Sequence, residues 1–210
     1  MIRALVFDIG NVLLKFDFNI AIRRLLPLCG NADAGLLAPI EEIKNAYESG
    51  RIGRDTFLKE VFRLLDFRGD EETFIAAWVD IFEVNAPMLD LVERLHGRYP
   101  LYLLSNTSDI HMDSILERYP FFGCFTDGVY SYRVGCSKPA PEIYRLTHEQ
   151  FGIRPEETVF IDDLEANITA AAASGFQAIQ YDFRNHAALL ERLTALGVEI
   201  SAPVRCMTGK

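Results

Sequence analysis

Residues 4–11 read Ala-Leu-Val-Phe-Asp-Ile-Gly-Asn. Four apolar residues in a row, followed at once by an acid and a glycine, describe a short strand that is buried on both faces and ends in a turn. Four more apolar or β-branched runs follow, at 101–104, 128–131, 158–161 and 177–181. Most lead into a helical pattern, at 109–119, 141–151, 165–174 and 185–196. Strands of this kind alternating with helices predict an α/β fold, a doubly wound parallel sheet with helices on both faces and a Rossmann-like core. Gly152, Gly175 and Gly197 each follow a helical pattern and read as C-terminal caps. Pro100 and Pro155 stand just ahead of strands, where no ladder donor is needed.

One interval breaks the alternation. Between Lys15 and Pro87 no strand is evident, and the segments 19–28, 36–48, 55–65 and 71–82 carry apolar residues at three- and four-residue spacing. The reading is a small all-helical insertion after the first strand. Residues 1–14 and 88–210 then form the α/β core, and residues 15–87 form the insertion. Residues 201–210 read as a loosely ordered tail.

Composition narrows the function. The chain has 210 residues, half of them hydrophobic, and a net charge of −9. An acidic surface repels nucleic acid and anionic lipid, so neither is expected as a partner. The apolar run at the N-terminus is too short for a signal peptide, and no stretch reaches transmembrane length. Cys29, Cys124, Cys136 and Cys206 lie at scattered spacings without a C-x-x-C pair, which suits reduced thiols in a cytoplasmic protein better than a disulfide framework or a zinc site. The expected assembly is a monomer or homodimer.

In an open parallel sheet, ligands bind outside the carboxyl ends of the strands. The residues there are Asp8, Gly10 and Asn11 after the first strand, Ser105-Asn106-Thr107 after the second, and Asp162-Asp163 after the fourth. Lys138 lies in the loop Gly135-Cys136-Ser137-Lys138-Pro139. Three carboxylates converging in one crevice repel each other, and a divalent cation relieves that repulsion. Hard oxygen donors and a phosphorylated substrate suit Mg²⁺. Lys138, Ser105 and Asn106 would hold a dianionic phosphoryl group, and a carboxylate not wholly held by metal can attack phosphorus in line to give an aspartyl-phosphate.

These motifs resemble the haloacid dehalogenase superfamily, in particular its phosphatases with a helical cap. Val6-Phe7-Asp8-Ile9-Gly10-Asn11-Val12-Leu13 is similar to the first motif and Leu104-Ser105-Asn106 to the second. Ser137-Lys138-Pro139 is similar to the third, and Ile161-Asp162-Asp163 with Asn167-Ile168 to the fourth. The insertion at 15–87 sits where the family places its cap. The resemblance implies that Asp8 is the nucleophile and a Mg²⁺ ligand, with the backbone carbonyl of Gly10 as a second ligand. It implies Asp163 as a direct ligand, because the register read back from Ile168 lands on it, with Asp162 beside it and reaching the ion through water. Ser105 and Lys138 would hold the phosphoryl oxygens, assisted by the amide of Asn106. The substrate implied is a small phosphorylated metabolite, and the Gly-Asn-Val form of the first motif resembles a branch that includes sugar-1-phosphate phosphatases.

The departure from the pattern is at Gly10. The family's phosphatases carry a second aspartate there, which protonates the leaving group and is worth about 10²–10⁴-fold in rate. Asp17, at the mouth of the insertion, is the expected substitute, with helix N-cap as its alternative role. Arg23, Arg24, Glu48 and Trp78 could read a polar ring such as a sugar, or serve as surface and packing residues. Two other functions compete: a metal-free haloacid-type dehalogenase, against which the pair Asp162-Asp163 speaks, and a phosphometabolite-binding protein with little turnover, which Gly10 keeps open.

Overall fold

The structure, a computed structural model, describes residues 1–31 and 33–202. Five parallel strands form the central sheet: β1 (Ala4–Phe7), β4 (Leu101–Ser105), β5 (Asp127–Tyr130), β6 (Thr158–Asp162) and β7 (Gln177–Gln180). Their order is β5-β4-β1-β6-β7. The chain therefore builds outward on one side of β1 through β4 and β5, then returns to build the other side through β6 and β7. The reversal leaves a crevice at the carboxyl end of β1, where ligands bind in such sheets. This is the doubly wound α/β arrangement expected from the alternating runs.

The period-two alternation of the strands explains the two cores. Leu5 and Phe7 point to one face, where they pack with Met88, Leu91, Leu103 and Ile161. Ala4 and Val6 point to the other, with Leu104, Tyr144 and Phe160. The first face is covered by α5 (Ala86–Leu95), α6 (Asp109–Arg118) and α10 (His186–Ala195), the second by α8 (Pro141–Phe151) and α9 (Glu165–Ala173). A short α7 (Ser131–Val134) follows β5. Gly152, at φ 61°, ends α8 in the left-handed conformation, as the sequence suggested.

Between β1 and α5 the chain forms α1 (Phe18–Leu25), α2 (Leu37–Glu48), α3 (Arg54–Leu65) and α4 (Glu71–Val79). They bury a separate cluster around Phe57, Val61, Phe74 and Trp78, which also takes in Ile110 of α6. Phe74 and Trp78 stack at 5.5 Å and 17°. The interval is not wholly helical, contrary to the sequence reading. β2 (Leu14–Phe16) and β3 (Phe82–Val84) pair antiparallel, with Lys15 opposite Glu83. Strands of three residues are too short to show a period, but the opposite charges directly across the ladder favour the pairing. Both connections to the helices thus run through one paired ribbon. It is anchored by Asn85, whose Nδ2 donates to Val12 O at 2.7 Å and to Tyr181 Oη at 2.9 Å.

At the C-terminus, Ser201 is tied down: its Oγ donates to Arg94 O at 2.9 Å, and its carbonyl accepts from Arg94 Nε at 3.0 Å. The rest of the segment read as a tail, residues 203–210 with Cys206 among them, lies outside the described residues. Cys29 and Cys136 are free thiols. Cys124 is disulfide-bonded, which corrects the reading of four reduced cysteines. No helix among the described residues is long and apolar enough to cross a membrane.

Phe74 is fully buried at the centre of the helical cluster. Replacing it with alanine should lower stability by about 3–5 kcal/mol in urea unfolding, through lost transfer energy and an unfilled cavity. A loss below about 1 kcal/mol would mean that the aromatic stack does not hold these helices together.

Candidate active site

Asp8 follows β1 directly, and its N–H donates to Ile161 O of β6 at 2.9 Å. The side chain is thereby fixed at the crevice, where it is 7% exposed. The chain then folds into a tight turn, with the N–H groups of Leu13 and Leu14 both donating to Ile9 O at 2.9 Å. Asn11 takes φ 53° in that turn, a conformation that asparagine tolerates better than most residues. From there its Nδ2 donates to Asp163 Oδ2 at 3.1 Å.

Lys138 comes from the loop after α7. Asn106 holds its backbone at both ends: the Lys138 N–H donates to Asn106 Oδ1 at 2.8 Å, and Asn106 Nδ2 donates to Lys138 O at 2.9 Å. The ammonium is buried and has three partners. They are Asp8 Oδ1 at 2.8 Å, Asp162 Oδ2 at 2.6 Å and Leu104 O at 3.1 Å. An ammonium has three donors, so Lys138 is fully satisfied.

The two adjacent acids have different surroundings. Asp162 is 0% exposed. Its Oδ1 accepts from the Leu164 N–H and Asn167 Nδ2, both at 2.9 Å, and its Oδ2 accepts from Asn167 Nδ2 at 3.0 Å as well as from Lys138. Asp163 is half-buried and lines the cavity, with Asn11 as its side-chain partner. Asp162 thus locks Lys138, while Asp163 faces the open space.

One carboxylate oxygen from each of Asp8, Asp162 and Asp163 can be chosen so that all lie within 4.8 Å of one another. Burial pushes the Asp8 carboxyl up, Lys138 opposes that rise and Asp162 adds to it, with the result at about 7. Burial also raises Asp163. Burial works against the Lys138 charge, but Asp8 and Asp162 outweigh it and hold the ammonium protonated. Three acids against one cation leave an excess of negative charge in a dry site. A hard divalent cation fits that donor set; Asp8 and Asp163 are the carboxylates at the cavity wall that would hold it, and Gly10 lines the same wall.

The cavity has a volume of about 520 Å³. Asp8, Gly10, Ser105, Asn106, Lys138 and Asp163 all line it, so the structure brings these six predicted residues together. Asp162 stands behind them. The side-chain amide of Asn106 is committed to the Lys138 backbone, so any contact with a phosphoryl group would come from its backbone N–H. Asp17 is not among the lining residues. It is exposed and caps α1, with Oδ1 accepting from the Asn19 N–H at 2.9 Å and Asn19 Nδ2 at 2.8 Å. The structure thus shows Asp17 in the helix-cap role named as its alternative.

Position 10 lies against the exposed ring of Phe16. A Cβ there would meet Phe16 Cε1 at 3.0 Å. Of the four residues read as contacts for a polar ring, Glu48 and Trp78 line the cavity, whereas Arg23 and Arg24 do not; Arg24 pairs with Asp80 on the surface. Sequence reasoning missed Lys44, Glu41, Phe16 and His111, which also line it. His111 is stacked on Trp78 at 5.9 Å and 4°, and burial pushes its pKa down to about 4, so it is a neutral wall residue. Helical spacing marks such residues as facing one side of a helix but does not say which side meets a ligand.

The haloacid dehalogenase-like hydrolase family matches residues 2–175. Among curated proteins, the chain is 32% identical over 199 residues to the D-ribitol-5-phosphate phosphatase of Bacteroides thetaiotaomicron, covering 86% of this chain and 92% of that one. It is 28% identical over 93 residues to the fructose-1-phosphate phosphatase of Escherichia coli, covering 44% of this chain and 50% of the relative. Among solved structures, a HAD-family enzyme of Bacteroides thetaiotaomicron in complex with magnesium and inorganic phosphate superposes with a TM-score of 0.78 at 28% identity, over 87% of this chain and 95% of that chain. On the motifs, the sheet order and this match, the chain belongs to the haloacid dehalogenase-like hydrolases.

Proposed function

We propose that the chain is a Mg²⁺-dependent phosphatase that hydrolyses a small phosphorylated metabolite, a sugar or polyol phosphate, through an aspartyl-phosphate on Asp8. The observation that carries this reading is the buried Lys138 bridge between Asp8 and Asp162, with Asp163 and Ser105 facing the same cavity. The relatives that act on ribitol 5-phosphate and fructose 1-phosphate support the substrate class. The bound cation would supply the positive charge that three carboxylates and an incoming phosphoryl group require.

The chain's own residues account for the rest. Lys138 opposes the burial that favours the neutral form of Asp8 and fixes one of its oxygens, so that the carboxylate attacks phosphorus without searching. The bond from Asp8 to phosphorus forms as the bond to the leaving oxygen breaks. Ser105 faces the phosphoryl oxygens, and Lys138, whose three donors are taken by Asp8, Asp162 and Leu104 O, offsets their charge at short range through its positive field. Water then attacks phosphorus and frees the Asp8 carboxylate and inorganic phosphate. The leaving oxygen needs a proton that position 10 does not supply. An anomeric phosphate leaves more readily than an ordinary alkyl phosphate, which fits a site without that acid.

Residues 15–87 act in this reading as a cap that closes over the site about the β2–β3 ribbon and excludes water. A cytoplasmic setting and a monomer or homodimer belong to the same proposal. The dehalogenase reading is weaker, because oxygens of Asp8, Asp162 and Asp163 lie within 4.8 Å of one another, and a metal-free site would leave that negative charge facing the haloacid carboxylate.

Phosphate release from a panel of sugar and polyol phosphates with Mg²⁺ tests the proposal. The wild type should turn over at least one, Asp8→Asn should lose activity by about 10³-fold or more, and chelation should abolish it. Phosphate release that survives in Asp8→Asn would contradict the mechanism. No release from any substrate would favour a binding protein. Asp17→Ala should cost about 0.5–2 kcal/mol of stability through the lost helix cap while kcat stays close to wild type. A large fall in kcat with unchanged stability would return Asp17 to the mechanism.

A further inference from the structure

We infer that Lys44 and Glu48, on the last turns of α2, form a subsite that selects a neutral polyhydroxyl leaving group over one carrying a second anionic charge. The inference rests on the phosphatase reading and names the part of the cavity that chooses its substrate. Both side chains line the cavity that holds Asp8 and Lys138. They are only 17% and 16% exposed, with Lys44 Nζ 3.6 Å from Glu48 Oε2. Glu41 is the third member of the group, at 3.2 Å from Lys44 Nζ and largely exposed. No other charged side chain from residues 15–87 lines the cavity among the described residues; the rest of that wall is apolar, with Phe18 and Trp78 prominent.

The position of the pair is fixed by the core. The Ser131 hydroxyl donates to Glu48 O at 2.5 Å and accepts from the Thr107 N–H at 3.0 Å, two residues beyond Ser105. Tyr47 Oη donates to the Asp109 carboxylate. Gly50 has φ +70°, and a Cβ there would stand 2.5 Å from Tyr132 O, so only glycine lets the chain approach this closely. The end of α2 therefore sits on the loops that carry the phosphate-holding residues.

The charges point to the substrate class. One ammonium and two carboxylates leave the group net negative. Burial already pushes the Glu48 carboxyl up and Lys44 opposes that rise. A second phosphate or a carboxylate would compete for Lys44 and leave Glu48 facing a like charge. Hydroxyls suit the pair, since they donate to the carboxylate and accept from the ammonium. The C–H faces of a sugar or polyol would meanwhile lie on the aromatic wall.

The test compares kcat/KM for a hexitol monophosphate, phenyl phosphate and a hexose bisphosphate in wild type, Lys44→Met and Glu48→Gln, with thermal unfolding as the check on folding. The ratio of hexitol phosphate to phenyl phosphate should fall about tenfold or more in both folded variants, through KM more than kcat. Glu48→Gln should also narrow the discrimination against the bisphosphate. An unchanged ratio in both variants overturns the inference, as does a wild type that prefers the bisphosphate, while the phosphatase reading stands. A wild type that releases phosphate from none of the three overturns the inference, and the phosphatase reading falls with it only if the full panel of sugar and polyol phosphates, anomeric ones included, also gives no release.

Discussion

The site depends on one buried cation. Lys138 places its ammonium between Asp8 and Asp162, out of contact with solvent, and completes its valence on a strand carbonyl. Burying an ammonium or a carboxylate alone costs several kcal/mol, and removing one partner of a buried pair costs about 3–5 kcal/mol. The arrangement is tolerable only because every donor has an acceptor and the distances are short. That requires the ends of β1, β4 and β6 to be adjacent, which the strand order supplies. It also requires the loop bearing Lys138 to be held in place, which Asn106 does through two hydrogen bonds to its backbone.

The same constraint divides labour among residues that look equivalent in sequence. Asp162 and Asp163 are neighbours of identical chemistry, yet the strand geometry turns one inward and the other out. Asp162 is saturated by Lys138, Asn167 and the Leu164 N–H, so it orders the site from behind. Asp163 faces the cavity, where a metal ion would sit. Asn11 in the turn after β1 and Asn167 in the first turn of α9 hold Asp163 and Asp162, respectively, in their orientations.

Much of this was legible in the sequence, and the limits are physical. The apolar runs beginning at Ala4, Leu101 and Thr158 mark buried strands, so the sheet and the residues at its strand ends could be read directly. The register against the following helix favours Asp163 over Asp162 as the direct metal ligand, and Asp163 is the member of the pair that lines the cavity. The β2–β3 ribbon could not be read, because three residues do not establish a period and its stability comes from pairing across almost seventy residues of chain. Asp17 is ambiguous in the sequence because an acid before a helix fits both a cap and a catalytic group; the structure shows the cap. Cys124 was read as reduced on spacing alone, which says nothing about what the fold brings near it. Lys44 was not singled out because a lysine on an amphipathic helix is normally a solvated residue.

Position 10 carries no acid, and a Cβ there would lie 3.0 Å from the exposed ring of Phe16. In the proposed mechanism the covalent chemistry falls on Asp8 alone. Acid quench of the enzyme during turnover with Mg²⁺, followed by borohydride reduction and peptide mass spectrometry, tests this most directly. An aspartyl-phosphate on Asp8 should appear as homoserine at position 8, in substrate-dependent amounts. Turnover with no modification at that position, or with the modification on another acid, would contradict the account.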